Sequence, residues 1–251
     1  MVRVHGRLRD EFIVKRFADC GFKIIYMKVC RQAGVPVNRR KKGAVNEQKL
    51  ANNISRAKTK VMEYALVNDW DWWCTFTISP QKFDRHNLDA YQKAFSEFLH
   101  GYNRRAKAEE KVKYLLVPEQ HEDGAWHMHG FLKGVREGDI ALNEHGRLTW
   151  LPYNEHFGFM TMELIRDKAK AASYLVKYMN KNMDEAVSEL GAHSYYASKG
   201  LKHAEVIYRG MGACSEWDFK GEYCSIKWCK TEEDLKKVFV DYENKVSASM
   251  E

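Results

Sequence analysis

The stretch of this chain whose residue types and spacing could do chemistry is Pro118-Glu119-Gln120-His121-Glu122-Asp123-Gly124-Ala125-Trp126-His127-Met128-His129-Gly130-Phe131-Leu132. On a β-strand successive side chains alternate faces, so His127 and His129 project together while Trp126 and Met128 project the other way. Imidazoles about 7 Å apart along one face can close on a single divalent ion. Glu119 precedes them, separated by the turn signal Glu122-Asp123-Gly124. A hairpin there brings its carboxylate back beside the histidines as a third ligand. Two nitrogens and one oxygen suit Mn²⁺ or Mg²⁺, and Zn²⁺ as well, with coordination positions left for substrate. A lone His-x-His is more often plain strand surface, so the weight rests on the carboxylate, the turn and what lies downstream.

Downstream is Ser173-Tyr174-Leu175-Val176-Lys177-Tyr178-Met179-Asn180-Lys181. Its apolar positions, Ala172, Leu175, Val176, Met179 and Met183, recur at helical spacing. Tyr174 and Tyr178 fall off that stripe, one turn apart on a shared face, each followed three residues later by a lysine, Lys177 and Lys181. Tyrosine in a helix is usually packing; this pair is poorly explained by it. A phenolate can attack a phosphodiester in line and store the bond as a phosphotyrosine. A metal on Glu119, His127 and His129 would polarise the scissile phosphate. Lys177 or Lys181 could lower a tyrosine pKa or hold a phosphate.

The elements that must position these residues are legible in outline. Residues 46–68 are periodic in Leu50, Ile54, Ala57, Val61, Tyr64 and Ala65 and predict a helix. Asp71 to Pro80, rich in aromatic and β-branched residues, predicts a strand. It would have Trp72, Cys74, Phe76 and Ile78 on an apolar face. Trp73, Thr75, Thr77 and Ser79 would lie on a semi-polar face above which a ligand groove could lie. Residues 87–106 predict an amphipathic helix. Lys113 to Val117 leads as a strand into Glu119, with Trp126 to Leu132 as its hairpin partner. Residues 134–155 read as a polar loop with a short strand, and Phe157 to Ile165 as a strand. Asp167 is placed to cap a helix over 168–183. A late strand is expected over 201–208 and a helix over 232–242. Residues 1–45 carry apolar clusters without an assignable fold. The order implies an α+β fold, an antiparallel sheet with helices packed on one face, of ferredoxin-like character.

Composition narrows the class. The chain has 251 residues, 45% hydrophobic and 30% charged, as an ordinary globular protein does, and no apolar run reaches the roughly 18 residues of a membrane span. Met1-Val2-Arg3-Val4-His5 opens no signal-peptide pattern. Six cysteines without a CxxC pair suggest free thiols in a reducing cytoplasm; their spacing is not diagnostic of a zinc knuckle. Of the net charge of +7, residues 1–60 hold 16 Lys+Arg against 4 Asp+Glu, and the remainder is mildly acidic. Such a basic arm, with Arg39, Arg40, Lys41 and Lys42 at its centre, is the electrostatic footprint of a nucleic-acid binder.

These residues together resemble the replication initiators (Reps) of the HUH endonuclease superfamily, of the type encoded by rolling-circle plasmids and small single-stranded DNA phages. Cys74-Thr75-Phe76-Thr77-Ile78-Ser79 resembles the first family motif. Glu119 with His127-Met128-His129 matches the metal motif, and Tyr174-x3-Tyr178-x2-Lys181 resembles the paired-tyrosine motif. The pattern Tyr174-x2-Lys177 satisfies the same motif, so both tyrosines are carried over. The resemblance spans roughly residues 70–210 and implies an RRM-like HUH catalytic domain over 66–210. A basic, partly helical extension over 1–65 precedes it and a helical tail over 211–251 follows.

The resemblance implies a metal-dependent nickase and strand transferase that opens a single-stranded or hairpin origin with Mn²⁺ or Mg²⁺. It bonds to the 5′ phosphate, leaves a 3′-OH for a host polymerase and later rejoins the ends, in the cytoplasm of a prokaryotic cell. No G-x4-G-K-[ST] loop occurs, so unwinding is expected from a host helicase. Thr75, Thr77 and the arm's Arg39, Arg40, Lys41 and Lys42 are the expected DNA contacts. His121 is expected to support the site from outside the ligand set, and His193 to Gly200 to form a loop near DNA or plain surface. The competing readings are an HUH transposase with the same chemistry and a non-catalytic nucleic-acid-binding module with Trp72, Trp73 and Phe76 as stacking platforms.

Overall fold

The computed structural model describes residues 6–7, 11–27, 31–32, 47–181, 194–221 and 224–242. It comprises two compact units, one formed by Val45–Lys202 and one by the two flanking segments, Met1–Ala44 and His203–Glu251. The described residues form α-helices and antiparallel sheets, an α+β protein with five helices. None of those helices is long and apolar enough to cross a membrane. Arg39, Arg40, Lys41 and Lys42 lie outside the described residues.

In the larger unit the elements run α1 (Glu47–Val67), β1 (Trp72–Ile78), α2 (Leu88–Asn103), β2 (Lys113–Gln120), β3 (Trp126–Lys133), β4 (Ile140–Leu142), β5 (Leu148–Trp150), α3 (Leu151–His156), β6 (Gly158–Leu164), α4 (Lys168–Lys181) and β7 (Tyr196–Ala197). Their sheet has the order β7-β2-β3-β1-β6-β5-β4. The alternation expected on β1 holds: Cys74, Phe76 and Ile78 are buried, while Trp73, Thr75 and Thr77 are half-buried. Cys74, Phe76 and Ile78 share one core with Met128 and Leu132 of β3 and with Leu88, Tyr91, Phe95 and Leu99 of α2. Phe76 is therefore sealed in this core and is no stacking platform for a base.

Helices cover both faces of the sheet, where the sequence suggested one. The opposite face carries Leu115, Val117 and Phe131, all buried, and there α4 packs on α1 and on β2 and β3. The reason is visible in the strands: β2 and β3 bury apolar residues on both sides, as strands between two helical layers do. Ala172, Leu175 and Met179, three residues of the expected helical stripe, are fully buried or nearly so. Asp167 accepts the N–H of Lys170 at 2.9 Å and caps α4. The stretch over 134–155 holds more structure than a loop: β4 and β5 pair as a hairpin and α3 follows, with Pro152 in its first turn. Tyr196–Ala197 adds an edge strand beside β2, so this part of the 193–200 segment joins the sheet.

Gly130 sets how closely β2 and β3 approach. A Cβ there would stand 2.0 Å from the Leu115 carbonyl oxygen, a backbone atom with no freedom to yield. The hairpin turn is tied down at its tip. The Arg85 guanidinium meets Asp123 at 2.8 Å, and the Trp126 N–H donates to the Arg85 carbonyl. The Ala125 N–H, followed by Arg85, holds the Asp123 carboxyl below its usual range.

The smaller unit is built on a five-stranded antiparallel sheet. Its strands lie in the order Glu205–Gly210, Glu11–Arg16, Phe22–Met27, Cys224–Cys229 and Phe219–Lys220. Phe12, Val14, Ile24 and Cys229 form its core. Glu232–Val238 is a helix whose N-terminus is capped reciprocally by Thr231 and Asp234.

Candidate metal and tyrosine site

The hairpin of β2 and β3 pairs Glu119 directly with His127 and Val117 with His129. The close β2–β3 pairing through Gly130 holds this register. Glu119 and His129 are both buried, and His129 Nε2 lies 2.7 Å from Glu119 Oε2. A carboxylate only accepts, so His129 Nε2–H is the donor in this pair. His121, expected beside the site, reaches the same carboxylate oxygen with its Nε2 at 3.8 Å. Its ring also stacks on His127, with centroids 3.9 Å apart.

On the other side of β3, strand β1 places Thr75 opposite His129 and Thr77 opposite His127. Each threonine Oγ1 sits 3.2 Å from the Nδ1 of its histidine. The two threonines expected to face DNA thus touch the imidazoles. Trp73, two residues earlier on the same face, packs against Tyr174 at 5.5 Å.

Helix α4 carries the tyrosines across this face. The Tyr178 ring lies almost parallel to the His129 ring, with centroids 4.1 Å apart and planes inclined by 10°. Its hydroxyl donates to the Tyr174 hydroxyl at 2.9 Å. Burial, then the Tyr174 hydrogen bond and the charge of Glu119, raise the Tyr178 phenol above its ordinary pKa. Tyr174 is half-exposed and, with Lys177, Lys170, Asp167, Glu163 and Trp73, lines a groove of about 780 Å³. The structure therefore brings together Glu119, His127, His129, Tyr174 and Tyr178, with Lys177 beside Tyr174 in the groove. The side chain of Lys181 lies outside the described residues.

Among the described residues no three His, Cys, Asp or Glu side chains stand at metal-coordinating spacing. Glu119 and His129 instead meet each other through the atoms that would face a cation. The donor set fits a divalent ion by its chemistry: one carboxylate and two imidazoles on adjacent strands, with each Nδ1 beside a threonine. Burial, with His121 and His129 as neighbours of like charge, pushes the His127 pKa down to about 4, so at neutral pH its ring is the uncharged form that ligates metals. The contacts that sequence reasoning missed are the Tyr178–His129 stack and the threonine–histidine couples. Only the second left a sequence signal, the matched spacing of two on neighbouring strands.

Residues 71–183 match the family model of the replication-associated proteins of the ORF2 and phage gene-2-protein type. That segment contains all the residues just described. Over it the chain is a replication-associated (Rep) protein of this phage type, and this membership implies the initiation of rolling-circle replication and the binding of origin DNA. No curated protein and no solved structure matches the chain.

Proposed function

We propose that the chain nicks single-stranded DNA at an origin and later transfers the strand, using an HUH endonuclease domain built on the ferredoxin-like sheet of the larger unit. The observation that carries this reading is the Tyr178 ring laid on His129, which brings the phenols of α4 to the carboxylate–imidazole cluster. A tyrosine Oη forms a bond to the scissile phosphorus while the bond from phosphorus to the 3′ oxygen breaks. The phenol gives up its proton and the 3′ oxygen gains one. One phosphodiester replaces another, so the reverse step rejoins the strand without an energy source.

Glu119, His127 and His129 would hold Mn²⁺ or Mg²⁺, which when bound supplies Lewis-acid polarisation of the phosphate. The phenol of Tyr178, raised in pKa, is protonated at neutral pH, and its O–H supports an oxyanion developing on Tyr174. Lys177, exposed in the groove beside Tyr174, offers a positive charge to a phosphate. Two phenols in hydrogen-bond contact allow one to cleave while the other keeps a 5′ end from an earlier cleavage. The 3′-OH then primes a host polymerase, with a host helicase unwinding.

The test is a denaturing gel of the protein with labelled single-stranded oligonucleotides and Mn²⁺. It compares wild type with Tyr174→Phe, Tyr178→Phe and the double variant. A metal-dependent protein–DNA adduct, lost in the double variant, is expected, and the single variants assign the first nucleophile. DNA binding without any adduct across a broad oligonucleotide pool would refute the nickase and favour a binding module.

A further inference from the structure

Thr75 and Thr77 repeat one arrangement twice. Each is the direct cross-strand neighbour of a histidine, and each sets its Oγ1 3.2 Å from that histidine's Nδ1. Strand β1 lies inside the sheet, hydrogen-bonded to β3 on one side and β6 on the other, so its backbone is held from both edges. A β-branched threonine on such a strand has few rotamers, and its hydroxyl is correspondingly fixed. Threonine is a common strand residue, and one contact of this kind would be ordinary packing. Packing does not require two hydroxyls to meet the same ring atom of two successive inward histidines.

We propose that Thr75 and Thr77 are positioning residues that orient the imidazoles of His129 and His127 toward a divalent cation. A hydroxyl held at Nδ1 turns Nε2 to the opposite edge of the ring. In His129 that edge already faces Glu119 Oε2, at 2.7 Å. An imidazole that ligates through Nε2 carries its proton on Nδ1, and that N–H then donates to the threonine oxygen. The assignment rests on the reading of Glu119, His127 and His129 as the ligand set. It gives the threonines a task other than touching DNA, and it explains why a hydroxyl, not merely a β-branched side chain, stands at both positions.

The experiment measures Mn²⁺ affinity of the full chain by calorimetry. It compares wild type with Thr75→Val, Thr77→Val and Thr75→Ser, alongside single-stranded oligonucleotide binding in EDTA. Valine keeps the shape and removes the hydroxyl, whereas serine keeps the hydroxyl. Each valine variant is expected to bind Mn²⁺ about 10–100-fold more weakly. Thr75→Ser should stay near wild type, and DNA binding in EDTA should be unchanged. Should a valine variant not fold, Thr75→Ala and Thr77→Ala remove the same hydroxyl with less bulk. Valine variants that bind Mn²⁺ as wild type does would overturn the proposal. So would variants that lose DNA binding in EDTA at unchanged Mn²⁺ affinity, which would make the threonines DNA contacts. A wild type that takes up no Mn²⁺ would overturn the ligand set itself, a failure visible before any variant is made.

Discussion

Removing the imidazole of His129 should destabilise the protein by an amount its burial sets. Glu119 and His129 side chains are 7% and 9% exposed and meet at 2.7 Å. His129→Ala takes from a buried carboxylate its nearest partner, a change that costs about 3–5 kcal/mol in buried ion pairs. His121 Nε2 stands 3.8 Å from the same oxygen and is half-exposed, so it can move in and offset part of the loss. The lower end, about 3 kcal/mol, is therefore expected. For a protein of this size each kcal/mol shifts Tm by about 2–4 °C, giving a fall of about 6–12 °C. Glu119→Gln keeps the shape and an acceptor and loses only the charge assistance, about 1–1.5 kcal/mol, or about 2–6 °C. Because the two residues share one interaction, the double variant should fall short of the summed losses by about 0.5–3 kcal/mol. The assay is thermal unfolding followed by circular dichroism at pH 7 in EDTA. A His129→Ala protein within about 1 °C of wild type, or fully additive losses, would refute the argument from burial.

Two further outcomes follow from the same hairpin. Gly130→Ala must push Leu115 away and should lower stability by at least the roughly 1–3 kcal/mol of an overpacked site. Gly138→Ala, where an added Cβ meets nothing within 4 Å, serves as the near-neutral control in the same melts. The His127 ring, with its pKa pushed down from 6.5 to about 4 by burial, supports stability fully above pH 6.5. Below that the unfolded chain takes up a proton that the folded ring refuses, and the contribution declines until it is gone near pH 4. In EDTA, His127→Gln should therefore show a shallower loss of Tm between pH 6.5 and 4 than wild type, and an identical slope would count against the buried ring.

Much of the larger unit is written in local pattern. The helices over Glu47–Val67, Leu88–Asn103 and Lys168–Lys181 follow their apolar spacing. The parity of Trp72–Ile78 was enough to tell which side faces the core. The Glu119 hairpin was readable because its turn residues and its alternation agree. What could not be read is what depends on how separate elements meet. The rotation of α4 about its axis, which decides that Tyr178 and not Tyr174 lies on His129, is fixed by packing on α1 and the sheet. The second helical layer escaped because runs such as Leu115-Leu116-Val117 look alike whether one face or two are covered. The strands Glu11–Arg16 and Phe22–Met27 pair with residues from the far end of the chain, and no local periodicity names a partner at that distance.

That last pairing bears on how the protein is made. The larger unit is one uninterrupted segment ending at Lys202, whereas Phe22–Met27 must wait for Cys224–Cys229 to complete its sheet. On a ribosome adding about 5–20 residues each second, the first unit can close seconds before the second has all its strands. Until then Phe22–Met27 offers an open edge of N–H and C=O groups, the kind of surface on which chains stick to one another. A premature stop after Lys202 would spare every residue of the tyrosine and histidine cluster and still leave that edge uncovered. Such a product would betray itself by insolubility during expression, not by a missing side chain at the site.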